Sequence, residues 1–228
     1  MLCRPALIPA LILALGLIPA RADAPNLATA TGDRPGSAAQ LVLAQRTYRQ
    51  AMDSGDPVLL LAAIRLARGV TRRPAPAWER TTTGEAGPPQ GLETDGPTDP
   101  ASPAALAVLH GLAIDNTDLQ DLASDLDAQL PHGRLPVATV AKAGLSGGAQ
   151  DDWRLPLSGA VPAEIALIGE AGTALGLTVT DDTGATVCAV PPTTDSPLCR
   201  FTPARNGFFT VQVKNAGAGW SSYQLIGN

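Results

Sequence analysis

Few residues in this chain have the types and spacing that catalysis needs. There are two histidines, His110 and His132. Histidine carries protons near neutrality and ligates metals, so each is a nominal general base. His110 lies inside the apolar run 104–112, where a satisfied, partly buried ring is the plain reading, and His132 lies in a Pro-His-Gly turn facing water. No G-x-S-x-G elbow, H-E-x-x-H pair or phosphate-cradling glycine loop is present. Ser146, set among glycines in Gly144-Leu145-Ser146-Gly147-Gly148, reads as spacer rather than nucleophile. No catalytic residue, metal ligand or cofactor is therefore expected. A hydrolase with an unfamiliar site is the third-ranked reading, and it requires His110 or His132 beside a carboxylate.

The cysteines point to compartment rather than chemistry. Arg4 precedes an apolar run from Ala6 to Ile18, and Ala20-Arg21-Ala22 supplies the small-x-small pattern of a signal-peptidase site. That run is shorter than the roughly 20 apolar residues a membrane span needs. Residues 1–22 are therefore expected to be a signal peptide, with a mature chain starting near Asp23 that is periplasmic or secreted and has no transmembrane segment. Cys3 leaves with the signal, so Cys188 and Cys199 remain and read as one disulfide. A metal or redox pair is the competing reading, but the spacing is not C-x-x-C and no histidine is near. Losing Arg4 and Arg21 takes the formal charge from −5 to −7, which disfavours a nucleic-acid partner.

Other residues could make contacts instead. Trp153, Trp220 and Arg200 are candidates for a binding surface on a folded C-terminal unit, with the tryptophans as sugar-stacking platforms or, alternatively, as buried core. Arg65, Arg68, Arg72 and Arg73 could engage an anionic lipid or cell-wall polymer, or simply complement a helix C-terminus. Asp118, Asp121 and Asp125 sit at helical spacing away from a leucine stripe and read as a solvated face.

The elements that must position these residues fall into two kinds. Residues 23–36 read as a disordered leader. Ser37 with Gln40 forms a capping box for a helix ending at Gly55, and Asp56-Pro57 opens a second helix, so 37–69 is a helical hairpin. The second helix is apolar nearly all round from Val58 to Leu66 and must be buried by more than one neighbour. Residues 70–101, rich in Pro, Gly and Thr, read as a linker. Ser102-Pro103 starts another helix, and Thr117 with Gln120 caps a fourth, making 102–131 a second hairpin. The first hairpin region is net basic and residues 81–131 hold no basic side chain, so the hairpins are expected to pack together. Residues 132–150 read as a second linker. From Trp153 the pattern turns to period two, as in Leu175, Leu177 and Val179 or Phe209, Val211 and Val213, and predicts about seven strands within 151–228.

Within that segment the runs Cys199-Arg200-Phe201-Thr202-Pro203, Gly207-Phe208-Phe209-Thr210-Val211-Gln212-Val213-Lys214-Asn215 and Tyr223-Gln224-Leu225-Ile226-Gly227-Asn228 resemble the bacterial pre-peptidase C-terminal type of domain. The resemblance implies a jelly-roll-like β-sandwich appended to a secreted protein. Many members place alternating acidic residues before the Asp-x-x-Gly turn, where a cation could bind. Here Ala174 and Gly176 fill those positions and only Asp181 and Asp182 remain, too few for calcium's six to eight oxygens.

The expected fold class is thus α+β, with helical hairpins followed by an all-β sandwich. The expected role is an exported, non-enzymatic binding or accessory module whose sandwich contacts an envelope protein or glycan. The alternative is an assembly component that recruits a partner through the apolar hairpin.

Overall fold

A computed structural model describes residues 24–29, 34–84, 98–128 and 135–228. The expected signal peptide and His132 lie outside the described residues. Along the chain run α1 (Ser37–Ser54), α2 (Pro57–Arg68), β1 (Thr71–Pro74), β2 (Glu79–Thr83), α3 (Pro103–Leu112), α4 (Thr117–Ala128), β3 (Val137–Leu145), β4 (Gln150–Leu157), β5 (Ala163–Gly169), β6 (Leu175–Thr180), β7 (Thr186–Thr193), β8 (Leu198–Phe201), β9 (Gly207–Asn215) and β10 (Ser221–Gly227). The class is α+β with a β-sandwich.

Ten strands form two five-stranded sheets, one in the order β1-β3-β10-β5-β8 and the other β2-β4-β9-β6-β7. We call these sheets A and B. All pairings are antiparallel except β1 on β3. Inward-facing residues of alternating strands interlock between the sheets, among them Leu155, Ile165, Leu167, Leu177, Val179, Phe209, Val211 and Leu225. The Cys188–Cys199 disulfide joins β7 of sheet B to β8 of sheet A at the sandwich edge, with Cα atoms 6.0 Å apart.

The helices form a third layer on sheet A. One face of α1 sets Ala38, Leu41 and Val42 against Ala138, Ala166, Ile168 and Ile226. Small residues on both sides let the helix approach closely. The other side of α1, through Tyr48 and Ala51, meets Leu60, Ala63 and Ile64 of α2, Ala105, Leu106 and Leu109 of α3 and Ala123 of α4. This accounts for Leu60, Ala63 and Ile64 in the apolar run of α2, flanked by α1 on one side and α3 and α4 on another, while Val58 of the same run is exposed. Arg68 ties the two hairpins by donating to the Leu126 carbonyl at 2.7 Å.

Several local expectations are corrected. Residues 70–101 and 132–150 are not simply linkers, because they contribute β1, β2 and β3 to the sandwich. β1 and β2 are edge strands of exposed Arg, Thr and Pro, so they lack the apolar alternation by which a half-buried strand is recognised. β3 reads Val-Ala-Thr-Val-Ala-Lys-Ala-Gly-Leu, in which Ala and Gly weaken the strand signal but allow the helix to lie close. The leader is also engaged. The Asn26 N–H donates to Asp181 Oδ2 at 2.6 Å, its side chain pairs with the Arg205 backbone, and Leu27 packs on the sandwich core.

Two capping boxes are replaced. The N-cap of α1 is Gly36, with no cap from its own side chain. Glu164 of β5 caps the helix from across the sheet, accepting from Gly36 N at 2.7 Å and Ala39 N at 2.9 Å. Ser37 Oγ donates instead to the Val137 carbonyl and Gln40 Nε2 to the Leu66 carbonyl. At α4, Asn116 Oδ1 accepts from Leu119 N, which leaves Gln120 for His110. Asp56 and Ser102 do cap α2 and α3 with their side chains.

Candidate functional site

The outer face of sheet A is only partly covered. In β3, Ala138, Val140, Lys142 and Gly144 share that face, since side chains alternate along a strand. α1 covers the Ala138 end. Beyond it the floor turns polar: Lys142 stands beside Gln224 of β10 in register, and Gly144 beside Ser222. β1 rises at the sheet edge with Arg72 and Arg73, and the turn at Asp99 and Pro100 closes the far side. The result is a cleft of about 460 Å³ lined by Arg72, Arg73, Asp99, Val140, Lys142 and Gln224, within the size range of ligand sites.

A second cleft of about 490 Å³ lies on the other side of the Thr98–Pro100 segment, between α1 and the 169–172 and 194 loops, lined by Tyr48, Arg49, Met52, Asp53 and Gly172 among others. A narrow gap lined by Gln45, Arg72, Asp99, Pro100 and Gln224 lies between the two and shares residues with each.

The first cleft is electropositive. Arg72 Nη1 is paired with Asp99 Oδ2, and Asp99 Oδ1 accepts from Ala101 N at 2.8 Å, so Asp99 is held by its own turn. Arg73 and Lys142 are exposed and have no ion pair among the described residues. In the second cleft Arg49 is committed to the protein: it donates to the Gly169 and Thr194 carbonyls, and burial lowers its pKa. Together with Arg46, which bonds Asp195 and the Ser196 carbonyl, it clamps the disulfide-closed loop onto α1.

The residues singled out in the sequence are not brought together. Trp153 of β4 is buried in the core, donating from Nε1 to Tyr223 Oη at 2.7 Å. Tyr223 Oη in turn bonds Asp151 Oδ2, and the fully buried Asp151 also receives Arg80 at 2.8 Å and Thr82 at 2.6 Å. Burial, then the bond to Asp151 and its charge, raise the Tyr223 pKa far above the ordinary phenol value. This network fastens edge strand β2 to the sandwich, so Trp153 offers no stacking surface. Trp220 lies flat over Gly144, where a Cβ would meet its ring at 2.1 Å. It is half-buried at the end of the polar row that holds Lys142. Arg200 of β8 lies beside the start of α1, pairing with Glu164 at 3.2 Å and donating to the Arg34 carbonyl.

Chemistry elsewhere is likewise absorbed by structure. His110 Nδ1 is 2.8 Å from Gln120 Oε1, and Gln120 Nε2 donates to the His110 carbonyl, so the pair staples α3 to α4. Asp181 Oδ1 accepts from Thr183 N, Thr183 Oγ1 and Ala185 N while Oδ2 takes Asn26 N. Burial raises its pKa, but these four hydrogen bonds outweigh it and the net shift is downward. Asp182 pairs with Arg205 at 3.0 Å. Among the described residues there is no group of three or more His, Cys, Asp or Glu placed to share a metal. Lys142 and Gln224 were not legible as site residues. The only signal was a single charge in an otherwise uncharged Ala/Gly/Val stretch.

No protein-family model matches the chain. No curated protein matches it either. Among solved structures it is similar to the pre-peptidase C-terminal domain of collagenase from Bacillus anthracis, at 18% identity and TM-score 0.33, over 43% of this chain and 98% of that one. It is also similar to the Yersinia pseudotuberculosis-derived mitogen, at 10% identity and TM-score 0.29, over 40% of this chain and 84% of that one. A third is the C-terminal CBM6 of LamC, a marine laminarinase from Zobellia galactanivorans, at 9% identity and TM-score 0.27, over 39% of this chain and 87% of that one. The first belongs to the family that the motifs in residues 151–228 resemble, and no function is taken from any of the three.

Proposed function

We propose that the protein is a non-enzymatic binding module of the cell envelope or extracellular space, and that it holds a glycan in the cleft on sheet A. The observation that carries this reading is the cleft itself, a concavity of about 460 Å³ whose polar side chains, Asp99 apart, stand on strands around Val140. Neighbouring Gln, Lys and Arg side chains suit hydroxyl-rich ligands, whose many donors and acceptors each need a partner. The Cys188–Cys199 bridge supports an oxidising compartment. His110 is spent on Gln120, which removes support for the hydrolase reading at that residue. The assembly reading keeps less support, because Leu60, Ala63 and Ile64 of α2 are buried inside the helical layer while Val58 stays exposed.

Co-sedimentation of the purified chain with insoluble envelope polysaccharide tests the proposal. Lys142→Trp, which fills the cleft from an exposed position, is expected to abolish binding. Arg154→Ala alters the opposite sheet, where Arg154 stacks on Phe208 at 3.6 Å, and is expected to leave binding intact. The reverse pattern would move the site to sheet B and refute the proposal.

A further inference from the structure

Resting on the cleft-binding reading, we infer that the cleft selects a ligand carrying an oxyanion, a carboxylate or a phosphate, and that Asp99 is the internal carboxylate against which such a ligand competes. Two cations whose side chains share the outer face of sheet A, Arg72 and Lys142, line the cleft with one carboxylate, Asp99, while Arg73 pairs in register with Thr139 and lines it from the strand's other face. This gives a local balance of +1 on a chain whose formal charge is −5. Six other arginines among the described residues pair with protein carboxylates: Arg46 with Asp195, Arg68 with Asp127, Arg80 with Asp151, Arg154 with Glu79, Arg200 with Glu164 and Arg205 with Asp182. In the cleft, Lys142 of β3 has no ion pair among the described residues and stands on the same face as Arg72 of β1, whose partner in register is Ala138.

The strands fix this spacing. Arg72 pairs with Ala138 of β3, and Lys142 stands further along that strand on the same face, so these two cations sit on either side of the Val140 floor. The planar guanidinium of Arg72 has five N–H donors, and only Nη1 is spent on Asp99, leaving donors for a second oxyanion. The cleft is open to water, so the attraction is modest and short-ranged, decaying over about 8 Å at physiological salt. Asp99 presents the one negative charge in the cleft, and it repels an incoming anion while holding Arg72 in place.

Calorimetric titration of the full chain with three probes tests this: an oligogalacturonate, its methyl ester, and inorganic phosphate. The acid oligomer is expected to bind about tenfold more tightly than the ester at low salt and to lose that advantage at high salt. Lys142→Gln is expected to erase most of the difference, and Arg73→Gln, one position off that face of β1, to leave most of it. Asp99→Asn keeps the oxygen that accepts from Ala101 N but removes the charge, and is expected to tighten acid binding severalfold. Displacement of the oligomer by phosphate supports the oxyanion chemistry with a free anion as its source; retention supports it with the acid sugar as its source. Equal binding of acid and ester, lost in Lys142→Trp, would overturn the anion selection while leaving the cleft as the binding site. Acid binding unchanged in Lys142→Gln, or no binding of acid or phosphate, would overturn the inference outright. Unchanged or weakened acid binding in Asp99→Asn would overturn the role given to Asp99.

Discussion

Glu164 gives the sharpest test of how the helical layer is fixed to the sandwich. Its carboxylate lies buried at the start of α1, accepting from two N–H groups that have no partner within the helix. Replacing it with Ala removes an N-cap, worth about 1 kcal/mol. It also removes a negative charge at the positive end of a helix dipole, worth about 0.3–1 kcal/mol or more when partly buried. Arg200 is one-third exposed and still donates to the Arg34 carbonyl, so it rehydrates at little cost. The net loss for Glu164→Ala is about 2 kcal/mol, which for a chain of this size lowers Tm by about 4–8 °C. Glu164→Gln keeps an acceptor oxygen without the charge and should lose about half as much. Urea unfolding followed by far-UV circular dichroism measures both, and amide exchange at Gly36 and Ala39 localises the effect. A loss under about 0.5 kcal/mol in Glu164→Ala, with those amides still protected, would refute the cap from β5 and return the helix start to its own sequence.

Three other outcomes follow from the core. Tyr223→Phe leaves the Trp153 indole N–H unmet in the interior, at about 1–3 kcal/mol, while Asp151 Oδ2 keeps Arg80 at 2.8 Å; chemical denaturation read by tryptophan fluorescence should show a loss in that range, and a neutral result would remove the network's structural role. Opening Cys188–Cys199 by substituting both residues with Ser frees a short loop between the sheets, and chain entropy gives about 3 kcal/mol; an unchanged unfolding midpoint would contradict it. Asp181 titrates below its unfolded-state value, so its contribution is present above the ordinary aspartate pKa of about 3.9 and disappears as pH falls through the folded value. Stability measured between neutral pH and pH 3 should therefore fall less steeply at the acid end in Asp181→Asn than in the parent, and identical profiles would exclude this linkage.

How much was legible depends on whether the decisive signal was local. The core strands show as Leu175-x-Leu177-x-Val179 and Phe209-x-Val211-x-Val213 because each buries one face, and burial imposes a period of two. The starts of α2 and α3 show because Asp56 and Ser102 cap helices only two or three residues away. The cleft does not show, because Arg72, Lys142 and Gln224 come from three strands that only the sheet brings side by side. Trp153 and Trp220 have the same residue type but different fates, one hydrogen-bonded in the core and one laid over a glycine, and nothing within a few residues of either distinguishes them.

The sequence by itself determined the α+β class, the apolar alternation of the sandwich core, the helical hairpins and the single cysteine pair, since each follows from periodicity or composition within a short window. The tertiary structure alone decided that β1, β2 and β3 complete the sheets, that Glu164 caps a helix 128 residues before it, and that a cationic cleft opens where α1 stops covering sheet A. Edge strands and caps supplied from a distance satisfy backbone hydrogen bonds without an apolar pattern of their own, so their partners become visible only once the chain has folded.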